Sequence, residues 1–546
     1  MVTVAQQIGT YLAKLGVGHV FGVVGSGNFE ITNALRAAGV QFVATRHEGG
    51  AATMADAYSR MSGKVSLVSV HQGCGLTNAG TGITEAAKSR TPMIVLTAEA
   101  AAQHIHSNFA IDQRDYARSL LATPLRINSA ETALEDTLRA YRTALRGRRT
   151  VVLNLPIDIQ AQEAIGDIPA TIVDRQPEIQ PAETQVRMLA DALRHSQRPV
   201  FIAGRGGRGA KHEIQQLAEH TGALVATGAV AKGLFNGDPF DLGISGGFSS
   251  PTTADFISQA DLIVAFGSAL NMWTMRHGKL IGDQTTVAQI DIEDSALGAH
   301  RPIDIPVLGG SATTASRLYE LLADDAGTRY RTAQVRAQIR DHSRWDQTPT
   351  ENLSTSGVVI DPRELTKQVN EILPKDRIVA IDSGNFMGYP SQYLDVPDEF
   401  GFCFTQAFQA IGLGLYTAIG AALAQPERLP VLGTGDGGFL MAVQELETAV
   451  RLQLPLVVIV YNDAAYAAEV HHFGKDQDLG AVTFPDTDIA AIAQGFGATG
   501  ITVRDTSDVS QLQDWVDADP TAPIVIDAKI ADDNGSWWLQ EAFQGH

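Results

Sequence analysis

A chain of 546 residues, 44% of them hydrophobic, is long enough for about three domains of ordinary size, each able to bury its own core. Its formal charge of −20 repels polyanions and no Lys/Arg run offsets it, which argues against a nucleic-acid partner. Two cysteines, Cys74 and Cys403, exclude a disulfide framework and fit a reducing cytoplasm; the lack of a basic leader or a spanning apolar stretch predicts a soluble, unprocessed protein with no membrane partner.

From Ala5 to about Pro169, short apolar runs alternate with helical segments: His19 to Val24, Gln41 to Thr45, Val65 to Val70, Met93 to Thr97 and Thr150 to Leu155. That rhythm predicts a parallel α/β sheet over residues 1–170. After the second run, Arg46-His47-Glu48-Gly49-Gly50-Ala51-Ala52 opens a helix rich in small residues. Glu48 there would complement the helix dipole in any protein, but a carboxylate followed by four small residues at the mouth of a sheet is a candidate functional group. His71-Gln72-Gly73-Cys74-Gly75-Leu76-Thr77-Asn78 follows the third run. His104 and His106 have no third ligand nearby and read as surface loop residues.

A polar, Pro-bearing piece from about Pro169 to Glu183 reads as a linker into a second α/β unit, 184–340. Its Gly204-Arg205-Gly206-Gly207-Arg208-Gly209, after the strand Pro199 to Ala203, formally satisfies the dinucleotide pattern G-x-G-x-x-G. The pattern is weak here, because Leu224 to Gly228 ends without the acidic residue that would hold a ribose. A charged helical stretch near Arg329 to Arg344 and a loop from Gln347 to Gly357 lead to a third unit, 358–546.

The third unit carries the densest signal. Asp382-Ser383-Gly384-Asn385-Phe386 follows the strand Arg377 to Ile381, and Gln409-Ala410-Ile411-Gly412-Leu413-Gly414 comes next. Leu429 to Thr434 is then a buried strand ending in Gly435-Asp436-Gly437-Gly438, Phe439 to Leu452 a helix, and Pro455 to Tyr461 a second buried strand ending in Asn462-Asp463. Oxygen side chains at adjacent strand ends, with no Cys or His beside them, suit a hard cation such as Mg²⁺ that bridges phosphate oxygens. Adjacent His471 and His472 on a helix point about 100° apart, so they do not share one metal.

Gly-Asp-Gly, 24 residues, then Asn-Asp between two apolar strands resembles the thiamine-diphosphate signature of the acetolactate synthase and pyruvate decarboxylase superfamily, and the resemblance extends over essentially the whole length. It implies three doubly wound α/β domains, pyrimidine-binding, central and diphosphate-binding, the first and third sharing one layout. By resemblance Asp436 and Asp463 are metal ligands with the backbone carbonyl of Ala465, and Asn462 supports their turn; Asp463 stands where many members have Asn. Gly384 and Asn385 form the first diphosphate loop, Gly435, Gly437 and Gly438 the second. Gln409 and Ile411 match the segment that holds an apolar side chain beneath the cofactor.

Glu48 matches the activator glutamate, whose carboxyl group makes the cofactor's own amino group a competent base. His71 resembles the active-site histidine of benzoylformate decarboxylase, and Cys74 replaces a proline typical of acetolactate synthases. Gln113 is placed like a glutamine bordering the substrate pocket, and Glu469 like the glutamate of the pyruvate decarboxylase pattern. Trp537 and Trp538 are expected in a lid.

The implied enzyme is a homodimer or homotetramer with active sites between subunits, using thiamine diphosphate and Mg²⁺ to cleave or form a carbon–carbon bond of a 2-oxo acid or aldehyde. Two proton donors, His71 and Glu469, favour decarboxylation with some ligation over acetolactate synthesis. FAD, which the central domain binds in acetolactate synthases, is disfavoured here. A flavin- or nicotinamide-dependent oxidoreductase is the alternative from another class; a regulatory module without chemistry is disfavoured by Glu48.

Overall fold

The apolar runs form three parallel sheets of six strands each in a computed structural model that describes residues 2–170, 178–474 and 476–535. The first contains β1 (His19–Gly22), β2 (Gln41–Ala44), β3 (Ser66–Val70), β4 (Met93–Glu99), β5 (Thr123–Arg126) and β6 (Thr150–Pro156), in the order β2-β1-β3-β4-β6-β5. The second contains β7 (Pro199–Ala203), β8 (Leu224–Thr227), β9 (Asp241–Ile244), β10 (Leu262–Phe266), β11 (Thr286–Asp291) and β12 (Ile305–Leu308), ordered β12-β11-β10-β7-β8-β9. The third contains β13 (Arg377–Ile381), β14 (Phe402–Phe404), β15 (Leu429–Gly435), β16 (Val457–Asn462), β17 (Thr499–Val503) and β18 (Ile524–Lys529), ordered β14-β13-β15-β16-β18-β17.

Helices cover both faces of each sheet, which is why β3, β6 and β16 are buried at every position and read as unbroken apolar runs. Counted from its own first strand, the third sheet repeats the order of the first. In both, the order reverses between the first and third strands, so a crevice opens beyond β1 and β3 and another beyond β13 and β15.

Two local readings are corrected. The single helix expected over Phe439 to Leu452 begins at Asp436 and is broken: helix Asp436–Ala442, a 3₁₀ turn Val443–Glu445, helix Leu446–Arg451. Strand β5 is absent from the sequence reading because its Thr-Pro-Leu-Arg is short, half-buried and carries a proline, which only an edge position tolerates.

The outer domains pack directly on each other, the Glu48–Ser62 helix along the Gly414–Ala424 helix. A Cβ on Gly420 would lie 2.2 Å from the carbonyl oxygen of Met54, so a side chain there would force the helices apart. Buried Arg60 pairs with Asp56 and Glu85, each at 2.7 Å, and donates to the Phe404 carbonyl of the third domain at 2.8 Å. Among the described residues no helix is long and apolar enough to cross a membrane.

Candidate active site

Strand β15 ends at Gly435, and Asp436 begins the next helix with its side chain buried. One strand over, Asn462 donates to Asp527 Oδ1 at 2.7 Å and accepts the Ala464 amide at 3.1 Å, which fixes a turn with Ala464 in the left-handed region, φ +55°. Asp463 on this turn takes the Ala465 amide on Oδ1 at 3.2 Å. An antiparallel bridge pairs Ala465 with Thr483 through the Tyr466 amide on the Val482 carbonyl and the Phe484 amide on the Ala464 carbonyl, neither bond using the Ala465 carbonyl. Burial pushes Asp436 up to about 6. Burial, then the charge of Asp436, pushes Asp463 up to about 8. Lys529, whose charge acts on Asp436, is bonded to Asp486 and to Asp527 at 3.0 Å. Two desolvated carboxylates at adjacent strand ends, with no ion pair to a cationic side chain among the described residues, form a donor set that fits a hard divalent ion.

The glycines here stand where a side chain would crowd its neighbours. A Cβ on Gly437 would meet the Tyr466 ring at 2.5 Å, one on Gly438 the Asp382 carboxylate at 2.4 Å, and one on Gly435 or Gly384 the Phe386 ring at 3.0 or 2.5 Å. Asn385 is buried at the start of the 3₁₀ turn Asn385–Met387. Asp382, which opens the segment read from the sequence as the first diphosphate loop, is fully buried and accepts from the amides of Ser383 at 2.7 Å and Gly412 at 2.9 Å and from the Thr434 hydroxyl at 3.1 Å. Its carboxyl, pushed up to about 6 by burial, ties the ends of β13 and β15 to the loop carrying Ile411. In that loop Gln409 is exposed with φ +59° and Gly412 has φ +85°. Ile411 is 42% exposed, beside exposed Met441 and Phe408, so plain core packing does not account for it.

In the first domain Glu48 is half-buried at its helix N-terminus, and Oε2 accepts from Asn78 Nδ2 at 3.1 Å. His47 caps the same helix, its Nδ1 accepting the Gly49 amide at 3.0 Å. His71 lies half-buried at the end of β3; Nδ1 is 2.9 Å from the Gln72 carbonyl, leaving Nε2 toward the Ser26 hydroxyl at 3.4 Å across the strand-order switch. The Phe109 ring meets its imidazole edge-on, centroids 4.7 Å apart.

Gln113, expected among the catalytic residues and at the border of the substrate pocket, is buried at the start of the Gln113–Ser119 helix. It borders a cavity of about 220 Å³ with Glu99, His104, Phe109 and Arg126. Its amide is committed, however, donating to Ala98 at 3.0 Å and Asn154 at 2.7 Å and accepting from Gly73 at 2.8 Å. The side chain therefore ties the loop that follows His71, through its oxygen, to β4 and β6, through its NH₂ group.

Glu469 is half-buried on the Ala467–Phe473 helix. His471, two residues on, turns to Asp532 and Asp533, the ligand atoms of all three within 4.8 Å of one another, while His472 is exposed. Asp533 accepts from the Tyr389 hydroxyl at 2.6 Å. The expected lid residues Trp537 and Trp538 lie outside the described residues.

The central G-x-G-x-x-G closes on its own sheet: a Cβ on Gly204 would lie 2.3 Å from the Gly267 carbonyl oxygen. Its arginines leave the motif, Arg205 donating to the Ser89 carbonyl and Arg208 to that of Arg60 at 3.3 Å, so it joins domains.

Residues 2–118 match the thiamine pyrophosphate enzyme N-terminal TPP binding domain, 186–318 the central domain and 382–528 the C-terminal TPP binding domain. A probable 2-ketoarginine decarboxylase of Pseudomonas aeruginosa is 29% identical, over 94% of this chain and 90% of the relative. A sulfoacetaldehyde acetyltransferase of Alcaligenes xylosoxydans xylosoxydans is 27% identical, over 90% and 87%, and an acetolactate synthase of Bacillus subtilis 26%, over 96% and 93%.

Proposed function

Because this chain belongs to the thiamine pyrophosphate enzymes, with all three of their domains, we propose that it binds thiamine diphosphate with Mg²⁺ and acts on a 2-oxo acid, by decarboxylation with some ligation. The observation that carries the metal assignment is the pair of desolvated carboxylates at adjacent strand ends, Asp436 after β15 and Asp463 after β16, to which the Ala465 carbonyl would add a third donor. When bound, the cofactor supplies the electron sink for breaking or making a carbon–carbon bond beside a carbonyl. Glu48 holds a proton-sharing carboxyl group toward the pyrimidine ring, and Ile411 orients the cofactor from its exposed loop. Gly384, Asn385, Gly435, Gly437, Gly438 and Asn462 line the diphosphate, and Gln409 shapes the loop that carries Ile411. His71 and Glu469 are the proton donors that release an aldehyde. The relatives' names support a carbon–carbon lyase or carboligase and do not favour the oxidoreductase reading.

A panel of 2-oxo acids, read by CO₂ release and product identity, tests this reading. His71→Ala and Glu469→Gln are expected to slow aldehyde release more than CO₂ loss and to divert product toward ligation. If both variants make acetolactate from pyruvate at the wild-type rate, the two residues are bystanders and the second reading, acetolactate synthesis, stands.

The active protein is proposed to be a cytoplasmic homodimer or homotetramer, with the exposed apolar side chains of Phe408, Ile411 and Met441 shielded at a subunit junction. Light scattering is expected to find at least a dimer. A monomer fully active at high dilution would contradict this.

A further inference from the structure

Two fully buried glutamates, Glu85 and Glu445, each cross from one outer domain into the other. Glu445 Oε1 accepts the amides of Arg46 at 2.8 Å and His47 at 3.0 Å, the two residues before Glu48; Oε2 accepts from the Thr448 hydroxyl at 2.6 Å. Glu85 Oε1 accepts the Ala407 amide at 2.9 Å and Arg60 at 2.7 Å, and Oε2 the Phe408 amide at 2.6 Å. Ala407 and Phe408 lie just before Gln409-Ala410-Ile411.

The two arrangements are counterparts. Strand β2 holds the place in the first sheet that β14 holds in the third, and the loop after each leads into one of the two packed helices. Glu85 lies on the second helix after β3, and Glu445 between the two helices after β15, the corresponding strand. Beyond β2 the ladder ends with the Thr45 amide on the Gly22 carbonyl, and the next two amides go to Glu445. The 3₁₀ break that interrupts the expected helix places Glu445 at this crossing.

We propose that Glu445 and Glu85 are positioning residues, Glu445 setting Glu48 and Glu85 setting Ile411, so that each domain places the cofactor contact of the other. The inference rests on the roles given above to Glu48 and Ile411. Its chemistry predicts an asymmetry. At Glu445 one oxygen takes both amides and the other meets a hydroxyl that can turn, so Glu445→Gln keeps the clamp. At Glu85 both oxygens face donors, so Glu85→Gln sets an NH₂ group against an N–H.

The test is amide hydrogen exchange of the cofactor-free protein over residues 44–50 and 405–413, with exchange of the thiamine diphosphate C2 proton in the loaded protein. Glu445→Ala should speed exchange over 44–50 by about tenfold or more, leave 405–413 unchanged and slow C2 exchange, with Glu445→Gln restoring both. Glu85→Gln should speed 405–413 instead. Should the alanine variant not fold, Glu445→Asp, which withdraws the oxygens by one methylene, is expected to show the same loosening. Unchanged amide exchange in these variants overturns the clamp, and wild-type C2 exchange with a loosened 44–50 overturns its positioning role. Failure of the site reading shows separately, as wild-type protein with no cofactor-dependent C2 exchange.

Discussion

Glu48→Gln is expected to leave thiamine diphosphate bound and to slow exchange of its C2 proton by about 10²–10⁴, the usual size of a general acid–base contribution. The substitution keeps the side chain's length, and an amide still offers Asn78 an acceptor where the carboxylate Oε2 now takes its N–H at 3.1 Å. The helix start survives as well, because its cap is the His47 ring on the Gly49 amide and not Glu48. What the amide cannot do is share a proton with a ring nitrogen. Deuterium exchange at C2 needs no substrate, so it isolates this step from the identity of the 2-oxo acid. Exchange at the wild-type rate in the variant would remove Glu48 from the activator role.

Asp436→Ala is expected to abolish the thermal stabilisation conferred by thiamine diphosphate with Mg²⁺, which mass action puts at about 2.7 kcal/mol when the ligand is at a hundred times its dissociation constant. The pH dependence follows from the same pair. Without a cation, burial holds Asp436 at about 6 and Asp463 at about 8, above the ordinary carboxylate value of about 4. The folded form then keeps protons that the unfolded chain has released. Stability from this source is complete below about pH 4 and is lost as pH rises through both folded values. The loss is read as the difference between wild type and Asp463→Asn. A divalent ion binds the ionised pair, so its stabilising effect should grow across that window. A metal-induced melting shift of equal size at pH 5 and pH 8, or one retained by Asp436→Ala, would place the metal elsewhere.

What the sequence by itself determined lies along the chain. Buried parallel strands are unbroken apolar runs, so β3, β6, β15 and β16 were legible, and with them the places of His71, Asp436 and Asp463 after β3, β15 and β16; Glu48, after the partly exposed β2, was marked instead by the small residues that follow it. The short edge strand β5 was not, because half-buried edges have no such pattern. Only the tertiary structure decided the partners. Glu445 reaches Arg46 from 399 positions away and Glu85 reaches Ala407 from 322, and nothing in the local spacing of either glutamate marks it. The sequence puts Asp382 at the head of a diphosphate-loop segment, but its bonds to the Gly412 loop and to Thr434 of β15 appear only in the fold. Gln113 borders a cavity as its place in the sequence implies, but that its amide is bonded to Gly73, Ala98 and Asn154 appears only in the fold. The central glycines match a nucleotide pattern weakly, and that Gly204 packs against Gly267 while Arg205 and Arg208 reach the first domain appears only in the fold. Periodicity reports which face of an element is buried, whereas the bonds of a buried polar group depend on which distant elements the packing brings against it.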